Sequence, residues 1–249
     1  ERRYGFARIN ALLSEFRRGV ETADAIETVL GIAPTAFDKG FKAYVEETFG
    51  ALLGQLDAWK ALLQDAARNM GESDWEGAIA QAARAVEIFP DYVESDSPYI
   101  ILARAYAETG DEEGELKVLR EYWQRGGYAP RALWLLARRL YGLQRVDEAV
   151  TVLEDVNYVA PFDPELHATL GDWMLEIGRH GDALIEYEVA LAMQPHDLAA
   201  AYYRVARANH LLERSEQARK YLLSALEIAP HYRPAQKLLL ETTQPPPQQ

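Results

Sequence analysis

The sequence predicts an all-α fold: an α-solenoid of about five helix pairs with a C-terminal capping helix, preceded by a small N-terminal helical segment. Three columns of residues predict it. Proline closes a helical pattern at Pro161, Pro195 and Pro230, with spacings of 34 and 35. Alanine recurs at Ala149, Ala183 and Ala218 with the same spacings, and small residues recur at Ala137, Gly171 and Ala206. Three columns sharing one period mark an internal repeat, and a period of this length in helical sequence belongs to stacked helix pairs.

Taken in order, residues 1–50 carry no repeat and read as three helices, Tyr4–Arg18, Thr22–Leu30 and Ala33–Phe49. Thr22 reads as an N-cap of the second and Gly31 as its C-cap. The array is predicted over 55–242. Counting back 34 from Ala137 reaches Ala103, and a further 37 reaches Ala66. The first unit, 59–92, takes Trp75, Ala78, Ala82, Ala85 and Pro90 as its second helix. The second, 96–129, departs from the pattern: Glu115 falls in the alanine column and Gly126-Gly127 replaces the closing proline. The junction after it is expected to bend or open. The units 130–163, 164–197 and 199–232 follow the columns closely, an apolar helix at 233–241 covers the open end, and the Pro-rich segment 243–249 is predicted disordered.

Packing physics accounts for these residue types. Two antiparallel helices approach closely only where one face carries Gly or Ala, so Gly171 is expected against Ala183, with Ala190 where the next unit packs. Leu170, Met174, Leu184 and Tyr187 fill the remaining space at helical spacing. Gly178 suits a left-handed helix end, and Pro195 cannot continue a helix. Trp59, Trp75, Trp123 and Trp173 fall at positions that face neighbouring helices.

The set Leu170-Gly171, Gly178-Arg179-His180, Ala183, Tyr187, Ala190-Leu191 and Pro195 resembles a tetratricopeptide repeat (TPR) almost column by column. Ala218, Leu222, Ala225-Leu226 and Pro230 do so in the next unit. The resemblance covers about 59–241 and implies a right-handed superhelix whose first helices line a concave groove. It also implies peptide or protein binding, in an interaction scaffold without a catalytic centre. The Lys–Asn clamp by which some members grip a chaperone's C-terminal carboxylate is not matched, since Leu63, Ala67, Ile100 and Trp134 stand at its places. In residues 1–50 the pattern Gly19-Val20, Thr22-Ala23, Leu30-Gly31, Phe37, Phe41 and Tyr44 resembles the C-terminal helices of gluzincin-like (peptidase MA-like) zinc peptidase domains that precede such arrays in bacterial proteins. That resemblance implies an alternative, in which this chain is the accessory C-terminal region of a peptidase whose catalytic domain is missing from it. The zinc-binding His-Glu-x-x-His helix does not occur in the sequence.

Composition narrows the function. The net charge of −13 argues against nucleic acid, which needs clustered Lys and Arg. Residues 1–50 carry 7 basic and 8 acidic side chains and 51–249 carry 19 and 31, so the acidity belongs to the larger part. There are no cysteines, hence no disulfide, thiolate metal site or Cys nucleophile. No apolar run approaches the roughly 20 residues that span a bilayer, so no membrane insertion is expected. The chain opens at Glu1 and reads as a processed fragment, leaving cytoplasm and periplasm both open. His167, His180, His196, His210 and His231 include no pair at i, i+3 or i+4, and read as solvated or structural rather than metal ligands. No cofactor and no catalytic residue is expected. The run Asp111-Glu112-Glu113 reads as a helix start, where acids complement the dipole.

The repeat register puts a groove on the first helices. Its expected lining is Arg104, Arg131, Trp134, Arg138, Tyr141, Asp172, Tyr203, Arg207 and His210, with Ile100, Ala107, Glu165, Ala168 and Leu175 between them. Arg104, Arg138, Asp172 and Arg207 share one column, which predicts Asp172 pairing with Arg138 or Arg207. In one reading the arginines and the aromatics Trp134, Tyr141 and Tyr203 anchor an acidic or aromatic peptide. In the other, Asp172 neutralises its neighbours and the aromatics fill the inner face. Trp134 and Tyr203 are expected to lack partners in the repeat's own core. Self-association through the groove stands as a further possibility.

Overall fold

A computed structural model describes residues 3–243. The chain divides into two compact units, 1–64 and 65–249. Among the described residues the secondary structure is α-helical throughout.

In the first unit, α1 (Phe6–Arg17) packs on α2 (Thr22–Leu30), and α2 on α3 (Pro34–Leu53). Gly5, at φ 76°, sets the start of α1 two residues later than the periodicity suggests. Thr22 is the first helical residue of α2 rather than its cap: Glu21 holds the cap position, without a side-chain hydrogen bond. Gly31 ends α2 in the left-handed conformation at φ 69°, as expected. Helix α3 runs one turn past Phe49, because Gly50 is followed by the good helix formers Ala51 and Leu52. The unit also holds the first part of α4 (Leu56–Gly71), where Trp59 and Leu62 are buried.

The second unit continues from α4 through α5 (Trp75–Ile88), α6 (Pro98–Thr109), α7 (Glu112–Gln124), α8 (Pro130–Gly142), α9 (Val146–Val159), α10 (Pro164–Glu176), α11 (His180–Ala192), α12 (Leu198–Leu211), α13 (Ser215–Ile228) and α14 (Arg233–Thr243). From α5 onward each helix packs on the next, and α14 lies against both α12 and α13. Thr243 therefore ends α14; the rest of the segment predicted disordered, 244–249, lies outside the described residues.

The starts of four helices share one device: the Asp at the N-cap accepts a backbone N–H. Asp74 takes Gly77 at 3.0 Å, Asp111 takes Gly114 at 2.9 Å, Asp163 takes Glu165 at 2.9 Å and Asp197 takes Ala200 at 2.9 Å. The turn inside each pair needs a left-handed residue. Gly110 and Gly178 supply it at φ 74° and 79°, while Ser73, Gln144 and Glu213 adopt it at φ 60°, 61° and 60° despite their side chains.

The small-residue columns are the contact line of the stack. Ala66, Ala137, Ala149, Ala183, Ala206 and Ala218 are all fully buried. Gly171 is more specific than its column suggests: a Cβ there would lie 2.5 Å from the Tyr187 ring, so the close neighbour is Tyr187, one turn beyond Ala183. A continuous apolar core runs from Ala66 to Ala208, and a second cluster (Ala206, Leu222, Ala225, Ala235, Leu238) seats α14 on the last pair.

Candidate peptide-binding groove

Helix α8 shows how a groove face is left over after the core is built. Ala132, Leu133, Leu136, Ala137 and Leu140 are buried, which turns Arg131, Trp134, Arg138 and Tyr141 to the other side. Arg131 and Arg138 are exposed, and Trp134 is half-buried and packs against the main core, so, unlike the expectation, it has a partner there. The Arg138 guanidinium lies 5.0 Å from the centre of the Trp134 ring, a cation–π contact. Its Nη2 is 3.9 Å from Glu165 on α10. Arg131, Trp134, Leu135, Arg138, Asp163 and Glu165 surround a shallow depression of ≈ 400 Å³.

The next two helices continue the face. Tyr141 stacks on Trp173 at 4.6 Å with the rings 9° from parallel, and its hydroxyl donates to Glu176 at 2.9 Å. That hydrogen bond to a carboxylate raises the Tyr141 pKa. Asp172 accepts from the Tyr187 hydroxyl at 2.7 Å and lies 3.4 Å from Arg204 Nε. Burial, followed by the bond to Asp172, pushes the Tyr187 phenol up.

This corrects the predicted ladder: Asp172 pairs with Arg204, not with Arg138 or Arg207, and Arg138 leans on Glu165 instead. Helical side chains slant toward the N-terminus of their own helix, so neighbours meet earlier in the partner's sequence than a straight column implies. Arg104, Arg131 and Arg207 remain exposed, with no ion-pair partner among the described residues. Tyr203 turns toward the corner before α14, edge-on to Tyr232 at 5.6 Å, and packs against the second core cluster, so it does have a partner there. His210 is half-buried at the end of α12.

Comparison with known proteins fits this geometry. Residues 199–232 match the tetratricopeptide-repeat family model. That segment carries a tetratricopeptide repeat. Among solved structures it is similar to YrrB, described as a TPR protein with an unusual peptide-binding site, at 18% identity, covering 80% of this chain and 96% of that one with a TM-score of 0.54. It is also similar to MamA, at 16% identity, 78% and 98% coverage and a TM-score of 0.50. At these identities the likeness is one of fold. No curated protein matches the chain.

Within the helix stack the two departures noted in the sequence have structural reasons. Glu115, in the alanine column, is fully buried, with its carboxylate 2.8 Å from Arg139 Nη2 on α8. The contact is off the hydrogen-bond line, so it is an ion contact rather than an aligned hydrogen bond. Arg139 also reaches Glu112 at 3.1 Å, and the two acids tie α7 to α8 through one guanidinium. At the other departure, Gly126 is left-handed at φ 87°, and a Cβ on Gly127 would lie 2.3 Å from the Tyr122 ring. The glycines let the chain fold over that ring, whose hydroxyl accepts the Ala129 N–H at 2.9 Å. These contacts shape the turn between α7 and α8.

Elsewhere, Trp173 is buried, Trp75 is half-buried and Trp123 donates to Asp155 at 2.6 Å. His167 is buried between Glu186 (2.6 Å) and the Pro161 carbonyl (2.9 Å). Among the described residues no cluster of three or more His, Asp or Glu could hold a metal, and no helix is long and apolar enough to cross a membrane. Arg204, the partner of Asp172, is a candidate groove residue that the sequence did not single out. Its signal was present: it precedes Arg207 by one turn and shares its face.

Proposed function

We propose that this chain is a protein-interaction scaffold that takes a peptide, or an extended segment of a partner protein, along the face formed by α6, α8, α10 and α12. The array is read as the units 59–92, 96–129, 130–163, 164–197 and 199–232, and the scaffold has no catalysis of its own. The observation that carries the reading is the set of exposed cations Arg104, Arg131 and Arg207, which have no ion-pair partner among the described residues, together with the Trp134–Arg138 stack next to Arg131, in a chain of net charge −13. Cations kept free of the chain's many carboxylates are available to a ligand's, and a half-buried Trp beside them offers apolar contact area. The ligand is therefore acidic, with an aromatic residue suited to the Trp134 depression. A solved TPR relative with a peptide-binding site lends support by analogy of fold.

Trp134→Ala combined with Arg138→Glu is expected to weaken capture of partners by at least about tenfold, with helicity retained, and Arg138→Glu alone, an exposed change, is expected to weaken it without altering thermal unfolding. Retention of every partner by that variant would end the reading.

A second reading treats 1–50 as the tail of a zinc peptidase. It is favoured by Phe6, Leu13 and Phe16 on α1 and by Phe41, Tyr44, Phe49 and Leu53 on α3, all of them exposed and all coverable by a further domain. A His-Glu-x-x-His helix encoded upstream of Glu1 would support it, and a reading frame without one would remove it.

A further inference from the structure

Resting on the groove reading above, we propose that the ligand is a bipartite acidic peptide: two acidic clusters separated by about four residues that are neutral or basic. The groove is banded in charge. Helix α8 presents Arg131 and Arg138, and α12 presents Arg204 and Arg207. Between them α10 presents only acids and no Lys or Arg, since Glu165, Asp172 and Glu176 are its charged residues. The bands abut, as Arg138 approaches Glu165 at 3.9 Å and Arg204 approaches Asp172 at 3.4 Å.

The two kinds of charge are unequally committed. Every acid of the middle band has a partner: Glu165 has Arg138, Asp172 has Arg204 and the Tyr187 hydroxyl, and Glu176 has the Tyr141 hydroxyl. Arg131 and Arg207, one on each flank, have none among the described residues. The contact of Arg138 with Glu165 is long and both side chains are exposed, so it is worth little and yields readily to a ligand carboxylate. Once Arg138 turns to the ligand, Glu165 is uncovered. A third acidic residue in the ligand's middle then meets an uncompensated carboxylate, whereas a Lys there meets a partner.

Spacing follows from helix packing. Side-chain ion contacts link α8 to α10 and α10 to α12, and two successive interhelical steps of at least about 8–10 Å put the flanking bands roughly 16–20 Å apart or more. An extended peptide advances about 3.3 Å per residue, so five to six steps join the two clusters, with about four residues between them. One cluster alone engages one band. Two clusters at the right separation engage both, and the second contact is intramolecular.

The test uses fluorescein-labelled peptides with Glu-Glu at each end and one, four or eight Gly/Ser residues between, read by fluorescence anisotropy against the full chain. Versions of the four-residue peptide carry Lys or Glu at the centre, and a contiguous tetraglutamate peptide serves as reference. The four-residue spacer is expected to bind about tenfold tighter than the one-residue spacer or tetraglutamate. Central Lys should tighten it and central Glu should weaken it. Arg138→Glu and Arg207→Glu, both surface changes whose folding is checked by circular dichroism, should each bring it down to the affinity of a single cluster. Equal binding of contiguous and split peptides, or no binding by any, overturns the two-band inference. Peptides that bind but ignore both Arg138→Glu and Trp134→Ala overturn the groove reading itself.

Discussion

Helices α1 and α8 are nearly equal in length, at 12 and 13 residues, and both carry an apolar stripe, yet they end up very differently. Helix α8 buries five residues, and Leu133, Leu136, Ala137 and Leu140 are essentially inaccessible. Helix α1 buries none: Phe6 is 62% exposed and Leu13 59%. The same contrast holds across the units. Among the described residues of α1, α2 and α3, only Ala25, Ile26 and Val29 are buried, all on α2. In the second unit one core runs from Ala66 to Ala208 and a second cluster seats α14. An amphipathic helix is thus a necessary condition for burial and not a sufficient one. What α8 adds is alternation of Ala with Leu, which lets α9 approach, and a neighbour that repeats the arrangement one unit later. Burying a Leu or Phe side chain stabilises by about 1.5–3 kcal/mol, so residues 1–64 forgo a large share of what their sequence could contribute.

The sharpest way to test that contrast is alkaline pH, because the buried phenols lie in the stack. Tyr99 is pushed up to about 12, chiefly by burial and then by Glu121; Tyr92 is pushed up to about 12, chiefly by its hydrogen bond to Asp96. Tyr122 and Tyr187 are raised by burial first. A phenol whose folded pKa exceeds its unfolded value of 10.0 stays neutral in the fold while the unfolded chain releases its proton. The stabilisation is therefore complete below pH 10 and is lost progressively as pH rises to about 12. Several sites act together, so loss of the helical circular dichroism of 65–249 over this window is the largest expected effect. Tyr99→Phe should shrink it, and an unchanged pH profile in that variant would show that Tyr99 is not a source.

Next in size is the ion pair that replaces an alanine. Arg139→Ala leaves the Glu115 carboxylate buried without a partner and is expected to cost about 3–5 kcal/mol. Glu115→Ala should be near neutral, because it restores the small residue of the column and leaves Arg139 partly exposed and still paired with Glu112. The double variant should recover most of the loss from the single Arg139 change. Equal costs for the two single variants, in chemical denaturation, would remove this account of the junction.

How far the sequence could reveal all this depends on whether a feature repeats. The alanine and proline columns were legible because helix contact demands small residues at every crossing, so the same demand is written several times. The left-handed turn position was legible at Gly178 but hidden at Gln144 and Glu213, where the residue type carries no sign of its φ. Pairings that occur once were not legible. Arg139 lies 24 positions from Glu115, and only the crossing of α7 with α8 brings them together. The Asp172–Arg204 contact required the slant of the side chains, which a column count leaves out. Tyr203 was expected to be free because Tyr232 sits in a corner outside the helical register. The nine candidate groove residues are thus assigned to one face by periodicity alone, while their partners follow from three-dimensional detail.

The smallest expected effect lies in α1. Leu13→Ser removes an exposed apolar side chain that contacts no core, so it should change stability by no more than about 0.5 kcal/mol. Its counterpart Leu136→Ala, in a fully buried position of α8, should cost about 2–5 kcal/mol through lost transfer energy and the cavity left behind. The two leucines occupy similar stripes on similar helices, so a comparable loss at Leu13 would mean that something covers α1 in solution. A second copy of the chain would make that loss depend on protein concentration, since association contributes by mass action. A concentration-independent loss would instead place the cover within the same chain. Thermal melts of Leu13→Ser at two concentrations separate these outcomes, and only a negligible loss at both leaves the α1 stripe uncovered.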